Sequence, residues 1–198
     1  MIKFINNSQA PPFKLFREKY NEALSKEQAM VEAICISSYC SEQNEINSRY
    51  VNLKMVDKDK LIFFTNYNSP KSKQFKSHKQ ISALIYWNKI NTQIRIKATI
   101  RKTTSSFNQS YFSQRSIEKN ALAISSSQSE IINSYEDVKT KYHAVIKNEN
   151  LLVCPEYWGG FEFEPYEFEF WEGNEFRLNK RLLFKYQFNN WVSHILEP

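Results

Sequence analysis

The sequence predicts a mainly β, α+β fold: a small antiparallel barrel with peripheral helices. Three observations predict it. Strand-like segments outnumber helical ones, polar turns separate them at hairpin spacing, and the longest of them alternate apolar with charged residues. At 198 residues the chain suits a single domain over 1–198, with a short N-terminal arm at 1–12.

Each element has a local reason. Pro11-Pro12 opens an amphipathic helix, FKLFREKYNEAL, whose Phe13, Phe16, Tyr20 and Leu24 form one stripe. A β-branched strand follows over 29–38. SRYVNLKMV and LIFFTNY flank the polar turn DKDK and read as a hairpin. After the loop NSPKSK and a short helical turn, ISALIYW is a further strand. Residues 92–102, TQIRIKATIRK, place Ile94, Ile96, Ala98 and Ile100 on one face and Arg95, Lys97 and Arg101 on the other, the pattern of a half-exposed strand. Residues 105–115 fit a helix with Tyr111 and Arg115 one turn apart on the same side. A serine-rich segment, 125–129, precedes a helix from Tyr135 that Ser134 caps, with Asp137 at the box position. Strands around 161–171, 176–187 and 190–196 close the chain.

The first of these closing strands is irregular. Phe161 and Phe163 share a face, Pro165-Tyr166 intervenes, and Tyr166, Phe168 and Phe170 then carry the apolar set at even positions. The phase slips by one, so a bulge or turn at the proline is needed to keep one buried face. Trp171 then falls with Glu167 and Glu169, away from the core. Beyond it, Arg177, Asn179 and Arg181 stand at alternate positions of an expected strand, which puts the two guanidiniums about 13 Å apart. They serve two anionic groups, or they pair with the nearby glutamates; this stretch alone leaves both open.

Composition narrows the chemistry. The net charge of +6 suits an anionic partner, yet the basic residues are dispersed among acidic ones, without the dense run that nucleic-acid binding favours. Only three glycines exist, Gly159, Gly160 and Gly173, which excludes a Walker-type loop and a GxGxxG turn. His78, His143 and His194 are far apart, and no metal site is expected. Cys35, Cys40 and Cys154 form no CxxC pair and fit reduced thiols. No segment reaches the roughly 18 apolar residues of a membrane span, and the N-terminus lacks a secretory apolar region, so the expected compartment is cytoplasmic.

Seven segments taken together, SRYVNLK, LIFFTNYNSPKSKQ, ALIYWNKINTQIRI, SYFSQR, SSSQS, YWGGFEF and FEFWEGNEFRLNKR, resemble in order and spacing the pyridoxamine 5'-phosphate oxidase family. The resemblance runs from about Pro12 to Pro198. It implies an FMN-binding split β-barrel, acting as a homodimer with flavin sites between subunits. It also implies an oxidase that converts pyridoxamine or pyridoxine 5'-phosphate to pyridoxal 5'-phosphate, with O2 as acceptor and H2O2 as by-product. Carried over by motif, Arg49, Lys54, Phe64, Thr65, Lys71, Gln93, Gln128, Ser129, Trp171 and Arg181 correspond to flavin-binding positions. Lys54, Tyr111, Arg115 and Lys119 correspond to substrate-phosphate positions, and Arg177 and Asn179 to the pair beside the reacting ring. Arg49 and Lys54 are separated by an odd number of residues, so sharing one ligand requires a strand irregularity between them.

The sequence departs from the family pattern in places. Asn179 replaces a histidine and cannot become cationic, Ser69-Pro70-Lys71 loses a guanidinium, Lys119 stands at a serine position, and Asn120–Ile124 replaces a loop of different composition. These departures bear on the substrate. Two alternatives follow: an FMN oxidoreductase of the same fold acting on another compound, as in phenazine biosynthesis, or a flavin- or pyridoxal-phosphate-binding protein without turnover.

Overall fold

The computed structural model describes all of residues 1–198. In chain order the elements are β1 (Lys3–Ile5), α1 (Pro11–Ser25), β2 (Ala33–Cys40), β3 (Glu45–Asn52), β4 (Met55–Asp57), β5 (Lys60–Asn66), α2 (Pro70–Ser77), β6 (Gln80–Trp87), β7 (Thr92–Lys102), α3 (Ser105–Ser113), α4 (Ile117–Ser125), α5 (Tyr135–Asn148), β8 (Trp158–Glu172), β9 (Lys180–Gln187) and β10 (Asn190–Leu196). The strands form one mixed sheet in the order β1-β4-β5-β8-β7-β6-β2-β3, with β9 and β10 added beside β8. Its two ends are not paired to each other, so no closed hydrogen-bonded barrel forms.

Strand β8 organises the sheet because it changes partners along its length. β7 runs beside nearly all of it; on the other side Trp158–Phe163 pair with β5, and Glu167–Glu172 pair with β9. The exchange falls at Pro165, which has no N–H to donate. Here the register shifts: Lys97 opposes Glu167 but Ala98 opposes Pro165, leaving Tyr166 as the extra residue. The expected bulge is therefore present, and Phe161, Phe163, Phe168 and Phe170 are all buried. Tyr166 is only half-buried, as an inserted residue should be.

The core is a cluster of 26 buried residues in which α1 packs on the inner faces of β6, β7 and β8. Phe16 lies against Trp87 and Phe168, and Phe13 against Phe168, at centroid separations of 5.2–6.4 Å. Each such side chain stabilises the fold by roughly 1.5–3 kcal/mol through burial. Ile94, Ile96, Ala98 and Ile100 are buried while Arg95, Lys97 and Arg101 are exposed, as the alternation requires.

Several expectations are corrected. Ala23, not Leu24, completes the buried stripe of α1, because Leu24 lies one position round the helix and is 36% exposed. The segment 29–38 is strand only from Ala33. Residues 3–5 of the N-terminal arm form a strand that pairs with β4 in parallel, anchored by the Ile2 amide donating to the Tyr20 hydroxyl at 2.8 Å. The sheet is thus not wholly antiparallel. Residues 120–124 belong to helix α4 rather than a loop. SRYVNLKMV is not one strand: it breaks at Leu53-Lys54, so that β3 stays on β2 while β4 turns onto β5. No helix is long and apolar enough to cross a membrane.

Candidate active site

The residues expected at the site fall into three groups. The first lies where β3, β5 and α2 meet. Arg49, in the middle of β3, points its guanidinium at β2 and α2: Nη1 donates to Ser38 Oγ at 2.6 Å and to the Ile36 carbonyl at 3.2 Å, and Nη2 donates to Gln74 Oε1 at 3.0 Å. Lys71, in the first turn of α2, is 8% exposed, and its Nζ donates to Thr65 Oγ1, Ser69 Oγ and Gln128 Oε1 at 3.0–3.2 Å. Every one of these partners is neutral. The carboxylates that form ion pairs in this protein engage other cations. Burial, then the neighbouring Arg49 charge, brings the Lys71 ammonium down to about 8, and burial likewise lowers Arg49. A buried and a half-buried cation without an anion form an unbalanced site that an anionic group would complete.

The second group borders the first. Because β3 ends at Asn52, Lys54 lies in the connection to β4, where its amide donates to the Ile62 carbonyl at 2.8 Å. This break supplies the irregularity that the Arg49 to Lys54 spacing demanded. On β5, the Phe64 ring stacks on Tyr111 of α3 at 3.7 Å and 6°. Helix α3 ends at Ser113, so Arg115 sits in the turn beyond it rather than on the helix. Its guanidinium lies 4.4 Å over the Trp158 ring, and Nη2 donates to the Lys119 carbonyl at 3.1 Å. Its Nη1 is buried with no partner. Lys54 is lowered mainly by burial; the Glu32 carboxylate opposes the shift, and the charges of Lys119 and Arg115 add to it, which places three cations and one carboxylate within mutual influence.

The third group occupies the far end of β8. Gln93 of β7, Trp171 of β8 and Arg181 of β9 form one cross-strand row, Gln93 opposite Trp171 and Trp171 opposite Arg181. Trp171 does face away from the core, beside Glu169. Arg181 is ion-paired: its Nε donates to Glu169 Oε1 at 2.9 Å and its Nη2 lies 2.8 Å from the same oxygen, a carboxylate it shares with Arg95. Arg177 and Asn179 are not on the strand. They lie in a 3₁₀ turn and the approach to β9, where Phe176 and Arg177 both take left-handed backbone angles, φ 56° and 63°. For non-glycine residues that conformation costs about 1 kcal/mol or more each. Arg177 is exposed and makes no ion pair, and Asn179 Oδ1 accepts from the Asn174 amide at 3.2 Å. With Trp171 and Pro198 they line one open depression.

Residues 16–147 match the model of the pyridoxamine 5'-phosphate oxidase family, and residues 158–198 match that of the pyridoxine 5'-phosphate oxidase C-terminal dimerisation region. The chain belongs to the pyridoxamine 5'-phosphate oxidase family. A pyridoxine/pyridoxamine 5'-phosphate oxidase of Colwellia psychrerythraea is 32% identical over 194 residues, covering 97% of this chain and 89% of that protein. One from Pelagibacter ubique is 34% identical, covering 94% and 91%. Among solved structures, PhzG of Burkholderia lata 383, in complex with tetrahydrophenazine-1-carboxylic acid, superposes with a TM-score of 0.89 at 25% identity over 94% of this chain and 92% of that one. An FMN-binding protein of Nostoc punctiforme related to pyridoxamine 5'-phosphate oxidase shares the fold, with a TM-score of 0.79 at 14% identity, covering 96% and 100%.

For this oxidase-family chain, Arg49, Thr65, Lys71 and Gln128 come together, as do Lys54, Phe64, Tyr111, Arg115 and Lys119, and Gln93, Trp171 and Arg181. Ser129 does not join the Lys71 cluster; it takes φ 73° and lines a separate surface hollow with Ile131 and Lys141. The first and third groups stand at opposite ends of β8, since Thr65 opposes Gly159 and Arg181 opposes Trp171, 12 residues further on, about 40 Å of strand. Sequence reasoning missed Ser38 and Gln74, which hold Arg49, and Trp158 beneath Arg115; of the glutamate pairing it left open, Arg181 takes Glu169 and Arg177 forms no ion pair. Gln74 had a readable signal, one helical turn after Lys71 on a short helix. Glu169 had one as well, an acidic residue in phase with the outward tryptophan.

Proposed function

We propose that this protein is an FMN-dependent oxidase of pyridoxamine or pyridoxine 5'-phosphate, working as a homodimer. The observation that carries the reading is the pair of cationic groups: Lys71 with Arg49, held by neutral partners alone, and Lys54 with Arg115 and Lys119, three cations near the single carboxylate of Glu32. Two phosphate esters would neutralise them. Each carries about 1.5–2 negative charges near neutral pH and accepts charge-assisted hydrogen bonds.

On this reading Lys71, Arg49 and Thr65 hold the FMN phosphate at the start of α2, where the helix dipole adds to the attraction. Pro70 removes one N–H donor from that turn, leaving Lys71 a larger share of the binding. Arg115, Lys54, Lys119 and the Tyr111 hydroxyl hold the substrate phosphate, with the unpartnered Arg115 Nη1 as the clearest open donor. FMN, when bound, supplies hydride acceptance from the substrate carbon and passes the electrons to O2. Side chains of this chain fix distance and orientation. The separation of the third group along β8 favours a second copy that brings its Gln93, Trp171, Arg181 and Arg177 to the first copy's phosphate site. The match of 158–198 to a dimerisation region supports the same arrangement.

The test is aerobic turnover. Purified protein loaded with FMN should form pyridoxal 5'-phosphate and H2O2 from one or both substrates; a flavin-loaded dimer that forms neither overturns the activity. A second reading, oxidation of a different anionic compound on the same flavin, is favoured by Asn179 in place of an imidazole, by the extra cation Lys119 and by the likeness to PhzG. Anaerobic bleaching of flavin absorbance across a panel of phosphate and carboxylate substrates separates the two.

A further inference from the structure

The Arg181 guanidinium is held by more contacts than any other arginine on the outer face of the sheet. Nε donates to Glu169 Oε1 at 2.9 Å, Nη2 is 2.8 Å from that oxygen, and Nη1 donates to the Glu197 carbonyl at 2.9 Å. An arginine has five N–H groups, two of them on each terminal nitrogen. These contacts leave one N–H free on Nη1 and one on Nη2. Glu169 is itself fixed: it is 7% exposed, and its second oxygen accepts from Arg95 Nη1 at 2.9 Å. Arg95 makes a single such contact and its side chain is half exposed.

A like row two residues away serves as a built-in comparison. Glu167 lies between Lys97, at 2.9 Å, and Lys185, at 3.9 Å. That row has the same strands and the same charge order, cation, carboxylate, cation. Its cations, however, are half-exposed lysines without a third anchor, and no member stands beside Trp171. The Glu169 row differs by ending on a residue directly opposite Trp171, in line with Gln93.

We infer that Glu169 is a positioning residue for the flavin site: with Arg95 behind it and the Glu197 carbonyl alongside, it holds Arg181 so that its two free N–H groups are presented beside Trp171 before any ligand arrives. The inference rests on the proposed flavin site. A long cationic side chain ordered in advance loses less freedom on binding, so affinity is higher than for the same side chain left mobile. Glu169, shared with Arg95, also offsets part of the Arg181 charge. The row therefore suits the neutral, hydrogen-bonding edge of a heteroaromatic ring, whereas the carboxylate-free Lys71 and Arg49 suit a phosphate.

The experiment is a double-mutant cycle on the full-length protein, read as FMN affinity by quenching of flavin fluorescence. Glu169→Ala is expected to weaken FMN binding about tenfold, and Glu169→Gln less, because the amide oxygen can still accept from Nε. In an Arg181→Ala background the same Glu169→Ala change is expected to alter the affinity by less than about twofold, since its effect passes through Arg181. Glu167→Ala is expected to leave affinity unchanged while lowering the melting temperature as much as Glu169→Ala does. An equal loss in both backgrounds, or wild-type affinity in Glu169→Ala, overturns the inference. Should Glu169→Ala fail to fold, Glu169→Gln and its pair with Arg181→Ala carry the same comparison. Failure of the wild-type protein to bind FMN would instead defeat the flavin reading itself, an outcome visible before any variant is made.

Discussion

The two ends of β8 hold positive charge in opposite ways. At the Gly159 end, Lys71 and Arg49 are enclosed by hydroxyls, amides and carbonyls, with no carboxylate. At the Trp171 end, Arg95 and Arg181 share Glu169, and Lys97 and Lys185 share Glu167. A cation with its own counter-ion adds to the architecture whether or not a ligand is present. A buried cation without one raises the free energy of the empty protein, and a bound anion relieves that cost. Folding stability and ligand affinity are therefore opposed at one end of the strand and independent at the other.

The largest expected effect is at Lys71. Lys71→Met should weaken FMN binding by about 10- to 100-fold, from the loss of a charge-assisted interaction of roughly 1.5–3 kcal/mol. The ligand-free variant should melt at the same temperature as wild type or higher, because an uncompensated buried charge has gone. Fluorescence titration and a thermal melt read the two quantities; a clear fall in the melting temperature would break the contrast.

Next comes Arg115. Arg115→Met should raise KM for pyridoxamine 5'-phosphate about tenfold or more while FMN affinity changes by less than about twofold, as steady-state kinetics and flavin titration would record. Equal losses in both would mean that the two cationic groups bind one anion, not two.

A smaller effect is read from pH. Lys71 in the empty protein loses its proton near 8, whereas an unfolded lysine keeps it to about 10.5. Between those values the unfolded chain binds more protons, so stability of the ligand-free protein should rise with pH relative to Lys71→Met. FMN affinity should fall over the same interval, by at most about tenfold per pH unit. Melting curves and titrations at intervals from pH 7 to 10 follow both trends; parallel movement of the two would contradict the assignment.

The smallest effect is at an exposed ion pair on the outer face of the Gly159 half. Arg101 pairs with Glu162 at 2.6 Å, but its side chain is 62% exposed and Lys60 shares the same carboxylate. Arg101→Ala should shift the denaturation midpoint by less than about 1 kcal/mol equivalent and leave flavin binding alone.

Legibility in the sequence followed how local each determinant is. β7 has the limits its alternation predicted, since one face is buried along its whole length and a slip would expose four apolar side chains. The bulge at Pro165 was readable for the same reason, a change of phase beside a residue without an amide hydrogen. The break at Leu53-Lys54 was not. Leu53 is fully buried and its amide still donates to the Glu32 carbonyl beside β2, whereas the next amide, of Lys54, donates to the Ile62 carbonyl of β5, so the break is set by which strands lie alongside. The turn at Phe176-Arg177 was hidden as well, because two non-glycine residues adopt left-handed angles that no local preference favours. Within the candidate site, cations were visible as residue types, but the absence of carboxylates around Lys71 and their presence around Arg181 depend on which strands lie together. Helix α4 was missed because the family comparison suggested a loop where Ala121, Leu122 and Ala123 favour helix.

The single inserted residue Tyr166 sets which side of the sheet each half of β8 addresses. Were Tyr166 paired in regular register instead of bulged out, Phe161 and Phe163 would stay inside, yet at the other end Glu169 and Trp171 would rotate inward and Phe168 and Phe170 outward. The protein would then bury its carboxylate and indole and wet its phenylalanines, so the outward placing of Trp171 depends on the bulge that keeps Tyr166 out of the ladder.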